Sequence, residues 1–471
     1  MHTPDTFSPV LAPAVDVLVL GAGLAGLRAA WAARQARPGA LVLVAAPLAG
    51  PSGSSFANAN GRLGLHAPMG DREREAFCRE VAAVSGPGVV SLALVEILAV
   101  EALARRLELE GLGARLVREA DGAPTFFGSC FSPDSRRAVV LADPVGLGRL
   151  LRDRVTALGG RIRAGLTALA LLRDPVGGRV VGALLEDAAG RLIAQPAGAV
   201  VAAMGGTAPL FVRHQAGRGN AGLGHGLLAR AGATMANTAF LQWMWLRLDD
   251  RRFWPVWELA TGMARTDASL PGDVGRLAAG RDGHCPLGHG LPDAALDQWL
   301  LARCDTDGAA AIERAGEVFR VALFAQATNG GALIDAQGRT DVPALFAVGE
   351  CATGMHGANR LGGAMVAACL VFGARAGETA AGEALLPADA VLARALDAAR
   401  DGWQRDRDEE RRVLSWLART LQEQALPRRN IDGAALQARL TRRPEGTRDV
   451  LARAGLVAAG LLGRSLGDGK R

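Results

Sequence analysis

The first hydrophobic pattern in the chain is a short apolar run that leads into an alanine-rich stretch. Val15–Leu20 is apolar except for Asp16, which predicts a buried parallel strand. The alanine-rich segment 27–34 predicts a helix, and a second apolar run, Ala40–Ala45, predicts another strand. Strand, helix and strand in this order are typical of an α/β fold with a parallel sheet.

The same pattern returns in the C-terminal half of the chain. Leu345–Val348 is a short apolar run that predicts a buried strand. A glycine-rich loop follows, and from Gly363 a long run of apolar and small residues predicts a helix. This second strand–loop–helix unit places a second helix N-terminus where it can face an anionic ligand.

The turn after the first strand has the spacing of a dinucleotide site. Gly21, Gly23 and Gly26 lie between the predicted strand and the predicted helix. Gly21 permits the tight turn, Gly23 lets the backbone approach a pyrophosphate, and Gly26 lets helix and strand pack closely. The alternative is a glycine turn between core elements. The acid that usually ends the second strand of such a site is absent, because that stretch reads Val44-Ala45-Ala46-Pro47.

The loop of the second unit carries a more specific pattern. Gly349-Glu350 is followed by the sequence HGANRLGG, which contains His356 and Arg360. This pattern resembles the signature of the flavoproteins of succinate dehydrogenase, fumarate reductase and L-aspartate oxidase. The resemblance implies that Glu350 contacts the ribityl chain of FAD and that Arg360 clamps a substrate carboxylate. A guanidinium group suits a carboxylate because it can donate two parallel hydrogen bonds.

Alternatives exist at both ends of this motif. Arg360 could instead hydrogen-bond a backbone carbonyl or pair with an acid in the core. His356 is a candidate catalytic residue by its place in the motif, although a role in positioning the loop is the favoured interpretation. Other stretches between residues 14 and 380 resemble flavin-contacting segments of the family. They supply these further candidate cofactor contacts: Ser54, Ser55, Asn60, Gly61, Gly205, Gly206 and Gly363.

The resemblance implies a Rossmann-like FAD-binding domain with an inserted α+β capping domain and a short helical C-terminal tail. We expect the FAD-binding domain to be discontinuous, with residues 1–235 and 328–385. Residues 236–327, called the inserted segment below, are expected to form the cap. Residues 386–471 are expected to form the tail, with its clearest helix over Asp401–Gln424.

Three catalytic positions of the family carry other residues here. Met244 stands where the family has a His, and Gln326 replaces a second His. The Arg of a Pro-Arg-Asp segment is missing between Pro292 and Asp293. Since Met and Gln cannot transfer a proton, we expect weak or no activity on succinate, fumarate and L-aspartate. Neighbouring residues that could replace the lost groups are His284, His289 and Arg303.

Tryptophan is concentrated at the start of the inserted segment. Trp243, Trp245, Trp254 and Trp257 make up half of the eight tryptophans of the chain. One interpretation is a packed core of the cap. The other is an aromatic pocket for a larger, partly apolar substrate.

Composition narrows the function classes further. The 471 residues carry a net charge of +6 that is spread over scattered arginines, which argues against nucleic-acid binding. Six cysteines occur without a CxxC pair, so we expect no metal site. The low cysteine content is typical of a reduced, cytoplasmic protein. Charged residues or glycines interrupt the apolar runs, so we expect no transmembrane span. The region where some family members attach FAD to a His reads Ser54-Ser55-Phe56, so we expect non-covalent FAD.

The sequence leaves several functions open. The first is an FAD-dependent oxidoreductase that transfers a hydride between flavin N5 and a carboxylate-bearing, partly apolar small molecule, with a protein as one candidate electron acceptor or donor. The second is an electron-transfer, assembly or non-catalytic FAD-containing subunit that has lost the dicarboxylate site. The third is an L-aspartate oxidase or fumarate reductase with relocated catalytic residues.

Overall fold

The structure is a computed structural model that describes most of the chain. The described residues are 7–58, 61–132, 138–217, 221–259, 272–281, 284–314, 316–401, 403 and 407–424. Helices and strands are mixed along this part of the chain, which confirms the predicted α/β class.

Sixteen strands are found in the described residues. In chain order they are β1 (Val10–Leu11), β2 (Val15–Leu20), β3 (Val42–Ala45), β4 (Leu63–His66), β5 (Ala138–Leu141), β6 (Arg161–Arg163), β7 (Thr167–Arg173), β8 (Val180–Glu186), β9 (Leu192–Ala202), β10 (Met235–Ala236), β11 (Leu241–Arg247), β12 (Ala309–Arg314), β13 (Glu317–Thr328), β14 (Gly331–Leu333), β15 (Leu345–Ala347) and β16 (Ala352–Thr353).

The α-helices alternate with these strands in the N-terminal half, and three helices are the last elements of the described residues. They are α1 (Leu24–Ala36), α2 (Gly70–Ser85), α3 (Leu92–Gly111), α4 (Pro144–Ala157), α5 (Leu223–Ala231), α6 (Gly272–Gly280), α7 (Ala294–Leu301), α8 (Ala364–Glu383), α9 (Asp389–Asp401) and α10 (Arg407–Gln424).

The central sheet has eight strands, and β9 joins its parallel part to its antiparallel part. Its path is β6-β3-β2-β9-β8-β7, and β1 and β15 also pair with β9. β6, β3, β2, β9 and β15 form parallel pairs, whereas β7, β8 and β9 pair antiparallel. All eleven residues of β9 are buried, because one half of the strand serves each part of the sheet.

The two strand–loop–helix units that the sequence predicts are both present. β2 has the predicted bounds, and α1 begins at Leu24, only one residue after Gly23. In the second unit β15 leads through the loop to α8, which begins directly after Gly363.

Helices α1 and α8 approach each other so closely that only glycine fits on one of them. A Cβ at Gly377 would lie 2.0 Å from the carbonyl oxygen of Ala29, and one at Gly373 would lie 2.9 Å from that of Ala25. Both glycines are in α8, and both alanines are in α1. The glycine spacing therefore brings the two units together along one helix pair.

α8 is long and apolar enough to cross a membrane by length and composition, which the sequence reasoning overlooked. However, 83% of its apolar window is buried inside the protein. α8 packs against α1, α3 and β4. This is the environment of a core helix.

The inserted segment contributes most of a second hydrophobic core. Its sheet has the order β11-β13-β12 and is entirely antiparallel. α6 and α7 pack on it together with Trp243, Trp245 and Trp254. The boundaries of the inserted segment stay a prediction.

The described part of the C-terminal region is helical, as predicted. α9 ends at Asp401, and α10 spans Arg407–Gln424, within the helix predicted over Asp401–Gln424. Leu392 and Ala395 of α9 pack on β7 and β8, whereas Leu421 of α10 packs into the second core. The sequence also predicts breaks at Pro427 and Pro444, and both positions lie outside the described residues.

A substitution at the α1–α8 contact should reveal how much the fold depends on it. We expect Gly377→Ala to lower the free energy of unfolding by about 1–3 kcal/mol, because the new methyl group overlaps the backbone of Ala29. The matched control is Gly382→Ala in the same helix, where a Cβ meets nothing within 4 Å. That variant should keep or slightly raise the stability. Equal urea midpoints for the two variants would contradict the close contact.

Two fully buried histidines predict the response of the fold to acid. Burial lowers the pKa of His66 and of His225 to about 4. Because the pKa is lower in the folded than in the unfolded chain, their stabilising effect is complete above about pH 6.5 and is lost as the pH falls towards 4. As the pH falls from about 6.5 to about 4, each histidine can lower the free energy of unfolding by up to roughly 3 kcal/mol. His225→Gln should reduce the difference between urea unfolding curves at about pH 7 and about pH 5. The same pH difference in both proteins would argue against a neutral, buried His225.

Candidate cofactor and substrate site

A cavity of about 830 Å³ lies where the two strand–loop–helix units meet. The start of α1 contributes Gly23 and Leu24, and the first turns of α8 contribute Met365 and Cys369. The N-terminal end of each helix carries backbone N–H groups without partners inside the helix, so this region favours an anionic group such as a pyrophosphate.

The three glycines of the first turn have different roles. A Cβ at Gly21 would lie 2.3 Å from the carbonyl oxygen of Ala203, and one at Gly26 would lie 2.0 Å from that of Gly21. These two glycines permit the close backbone packing of the fold. A Cβ at Gly23 meets nothing within 4 Å and would instead enter the cavity. Gly23 therefore keeps space free for a ligand.

Glu350 closes the cavity on the side of the second unit. Its carboxylate accepts hydrogen bonds from the backbone N–H groups of Gly206 and Thr328. Burial raises the pKa of Glu350 to about 7, and the positive charge of Arg360 opposes this rise. At Gly206 a Cβ would lie 2.0 Å from the carboxylate, so this glycine is required for the contact.

The other predicted cofactor contacts are distributed around this cavity. Ser54, Ser55 and Gly205 line it. Gly61 is exposed and does not line it, and Asn60 lies outside the described residues. Gly363 has a φ of 80° at the start of α8 and faces a second cavity. No histidine lines the described part of the cofactor cavity, and non-covalent attachment of FAD stays a prediction.

The second cavity, of about 1210 Å³, adjoins the first. Ser54, Ser55, Glu350 and Met365 line both. Its apolar wall consists of these side chains: Phe127, Val140, Met244, Phe253, Met365 and Val366. A small molecule in the second cavity would therefore lie against a ligand bound in the first.

Arg360 is the buried cation of the second cavity. Its side chain donates hydrogen bonds to Gln242 Oε1, to Asn329 Oδ1 at 3.2 Å and to Gln326 Oε1 at 3.5 Å. All three acceptors are uncharged amides, and among the described residues no carboxylate forms a salt bridge with Arg360. Burial lowers the pKa of Arg360, and Glu350 partly offsets this effect. The guanidinium group is positioned by neutral partners and retains its positive charge for an anion.

An irregularity in the inserted sheet turns Gln326 towards Arg360. In the pairing of β11 with β13, Gln242 faces Ala327 but Trp243 faces Ala325, so Gln326 is an extra residue of β13. Such a β-bulge changes the direction of a side chain without ending the strand. Gln242 and Met244 point into the cavity from alternate positions of β11.

The direction of the side chains along β11 indicates the role of the tryptophans. Trp243 and Trp245 point to the opposite face of β11, where they and Trp254 belong to the second core. None of these three tryptophans lines the second cavity. The structure supports the packed-core interpretation for them, and the aromatic rings of the cavity are Phe127 and Phe253. The side chain of Trp257 lies outside the described residues.

The remaining candidates lie away from the described lining of both cavities. His356 is 1% exposed, and burial lowers its pKa well below the usual value. His289 contacts the carbonyl oxygen of Leu241 through Nε2 at 2.9 Å. His284 contacts Asp293 at 2.5 Å, and Arg303 stacks on Trp299. Catalytic roles for these residues stay predictions without a contact to the cavity.

Sequence reasoning missed three residues that line the second cavity and one residue, Asn329, that holds Arg360. Gln242 and Asn329 hold Arg360, Arg62 is exposed at the cavity lining, and Cys130 lines it beside Gly362. Gln242 could have been found from the motif, because it lies two residues before Met244. Met244 occupies the position where the family has a catalytic His. Cys130 carries no comparable signal in the sequence.

Comparisons with known proteins agree with this geometry. The profile of the FAD binding domain family matches residues 16–282 and 288–366. The L-aspartate oxidase of Caulobacter vibrioides is 32% identical over 403 residues, which are 78% of this chain and 76% of that protein. The L-aspartate oxidase of Halobacterium salinarum is 32% identical over 422 residues, with 80% and 77% covered. The fold is similar to that of FrdA from E. coli quinol fumarate reductase, with a TM-score of 0.72 and 21% identity over 96% of this chain and 88% of that chain.

The glycine roles predict which substitution removes the cofactor. Gly23→Val should abolish FAD retention while leaving the fold intact, because the new Cβ meets no protein atom within 4 Å and the side chain enters the cavity. Gly26→Val should instead destabilise the fold itself through the carbonyl of Gly21. Gly39→Val, at an exposed position with equally free space, is the matched control and should retain FAD.

The measurement is flavin content after acid precipitation, combined with circular dichroism. The flavin of the wild-type protein should appear in the supernatant. A normal flavin content in Gly23→Val would mean that this loop is structural only, and flavin in the pellet would contradict non-covalent attachment.

Proposed function

We propose a specific reaction for this chain, which belongs to the FAD-dependent oxidoreductase family of L-aspartate oxidases and of the flavoproteins of fumarate reductase and succinate dehydrogenase. The proposed reaction transfers a hydride between flavin N5 and a small molecule that carries one carboxylate and an apolar portion.

The observation that carries this proposal is the environment of Arg360. A buried guanidinium group whose hydrogen-bond partners are neutral amides has a large unfavourable desolvation energy that a carboxylate would offset. The forked donors of Arg360 suit one carboxylate in a bidentate arrangement. Gln242, Gln326 and Asn329 fix the orientation of that fork, so the bound molecule would be held at a defined angle to the cofactor cavity.

The rest of the cavity supports an apolar portion of the substrate. Met244 and Phe253 cover the inserted-segment side, and Phe127 and Val140 cover the opposite side. A second carboxylate placed against these side chains would lose its hydration without gaining a charged partner. We therefore infer that succinate, fumarate and L-aspartate are poor substrates.

The cofactor and the chain divide the work of this reaction. Bound FAD would supply the hydride-transfer chemistry of this reaction. Gly23 and the two helix N-termini would hold the pyrophosphate, and Glu350 the ribityl chain. Arg360 would bind and orient the substrate, and the inserted segment would limit the access of water. An electron-transfer protein is one proposed partner for reoxidising or reducing the flavin.

A second candidate is L-aspartate oxidation, the reaction that gives the two relatives above their names. The specific observation in its favour is Arg62, a second cation at the cavity. Arg62 is exposed, so it would gain less from pairing with a carboxylate than the buried Arg360.

Substitution of Arg360 tests the proposal. The measurement is bleaching of the flavin absorption under anaerobic conditions by a panel of aliphatic and aromatic monocarboxylates, with succinate and L-aspartate included. Arg360→Gln should retain FAD but lower the rate of bleaching by the active monocarboxylate about 10²- to 10³-fold, because a charged contact to the substrate is lost. Arg191→Gln is the control, since Arg191 pairs with Asp187 between β8 and β9, outside the described lining of both cavities, and it should behave as the wild type.

The panel also separates the two candidates. Rapid bleaching by L-aspartate that Arg62→Gln abolishes would overturn the monocarboxylate proposal in favour of L-aspartate oxidation. Unchanged bleaching by a monocarboxylate in Arg360→Gln would contradict the assigned role of Arg360.

A further inference from the structure

Two cysteines that are distant in sequence meet beside the substrate cavity. Cys130 belongs to the loop before β5, and Cys285 belongs to the inserted segment. The Cys130 thiol is in hydrogen-bonding contact with the side chain of Cys285 and with its backbone. Both residues are partly exposed, and Cys130 lines the cavity that contains Arg360. A small reagent that enters the cavity would therefore meet Cys130.

The neighbours of both cysteines hold the pair together. The ring of Phe131 stacks on that of His284, with 4.0 Å between the centroids and 25° between the planes. The N–H of Gly362 donates to the carbonyl oxygen of Cys130 at 2.9 Å. Pro286, the residue after Cys285, forms an antiparallel β-bridge with Met244 of β11. Each thiol is thus fixed to a rigid part of the protein, one on the α8 side and one on the inserted sheet.

The backbone at this contact is also unusual. Phe131 has a φ of 62°, in the left-handed region that non-glycine residues seldom adopt. This conformation belongs to a tight loop in which Ser129 and Ser132 pair with each other. Strained residues of this kind are concentrated at functional sites.

The charges around the pair make one sulfur reactive. The hydrogen bonds from Cys285 lower the pKa of Cys130, against the opposing effect of burial, and the charge of Arg360 acts in the same direction as the hydrogen bonds. The contact raises the pKa of Cys285. The pair therefore favours the thiolate at Cys130 and the thiol at Cys285, the arrangement of a nucleophile with its resolving partner.

We propose that Cys130 and Cys285 are a redox-active dithiol that a peroxide oxidises to a disulfide, linking the inserted segment covalently to the loop beside the cofactor cavity. The Cys130 thiolate attacks the O–O bond of hydrogen peroxide, and protonation yields a sulfenic acid and one water molecule. The sulfur of Cys285 then displaces the hydroxyl group, which leaves as a second water molecule when the thiol proton is transferred to it. Two thiols and one peroxide give one disulfide and two waters.

The disulfide would change the substrate cavity in two ways. It would place an uncharged disulfide sulfur in the cavity wall that Cys130 lines, and it would prevent the inserted segment from moving away from the loop that carries Cys130. Both effects concern access to the cavity, so the proposal does not depend on which carboxylate is the substrate.

The test is peptide mapping of the FAD-loaded protein after treatment with hydrogen peroxide. Under non-reducing conditions, a linked peptide pair containing Cys130 and Cys285 should appear, with the mass of two hydrogens missing, and dithiothreitol should remove it. Before oxidation, Cys130 should react with iodoacetamide at about pH 7 at least tenfold faster than Cys78, since burial raises the pKa of Cys78.

Two variants isolate the pair. Cys285→Ser should prevent the linkage and let a dimedone adduct accumulate on Cys130, because the sulfenic acid has no resolving thiol. Cys304→Ser is the matched control, since Cys304 is a partly exposed cysteine of the same inserted segment, and it should leave the linkage unchanged. The proposal is overturned if the peroxide-treated wild type shows no Cys130–Cys285 linkage, whether both thiols remain reduced or Cys130 is oxidised further without pairing.

Discussion

The backbone contact between α1 and α8 is the constraint on which both cavities depend. Gly373 and Gly377 let the carbonyl oxygens of α1 approach to distances at which no side chain fits. Because the helices lie this close, the turns at their N-terminal ends face one cavity, and the positive ends of two helix dipoles act on one ligand. A separation larger by one methyl group would move the second unit, and with it Glu350 and Arg360, away from Gly23.

The same packing explains how a buried arginine can be retained without a carboxylate partner. Arg360 follows the loop of the second unit and points towards the inserted sheet, where the bulge at Gln326 and the side chain of Gln242 provide amide oxygens. Neutral acceptors orient the guanidinium group but do not neutralise it. Glu350 lies near enough to affect the pKa of Arg360, yet its carboxylate is occupied by the backbone of Gly206 and Thr328. The positive charge is therefore available to a bound anion.

The parts of the fold that local sequence determines were predictable. β2, the glycine turn and α1 follow from an apolar run, glycine spacing and an alanine-rich stretch within thirty residues, and the loop with Glu350 and Arg360 has a specific motif. The parts that depend on distant contacts were not predictable. β9 serves two differently oriented halves of the sheet, α10 packs on the second core, and Asn329 reaches Arg360 from another element. The interpretation of the tryptophans required the register of β11, since a shift by one residue would exchange the core face and the cavity face.

The glycine contact also sets the order of events during synthesis of the protein. α1 leaves the ribosome before α8, and the residues that complete the cofactor cavity arrive only with α8, more than 300 residues later. Closing so long a loop is entropically unfavourable and slow. Until then, the face of α1 that packs on α8 lacks its final partner, and such an apolar surface is prone to aggregation. Flavin uptake is therefore a late step in the maturation of this chain, and a shortened N-terminal fragment could not retain the cofactor.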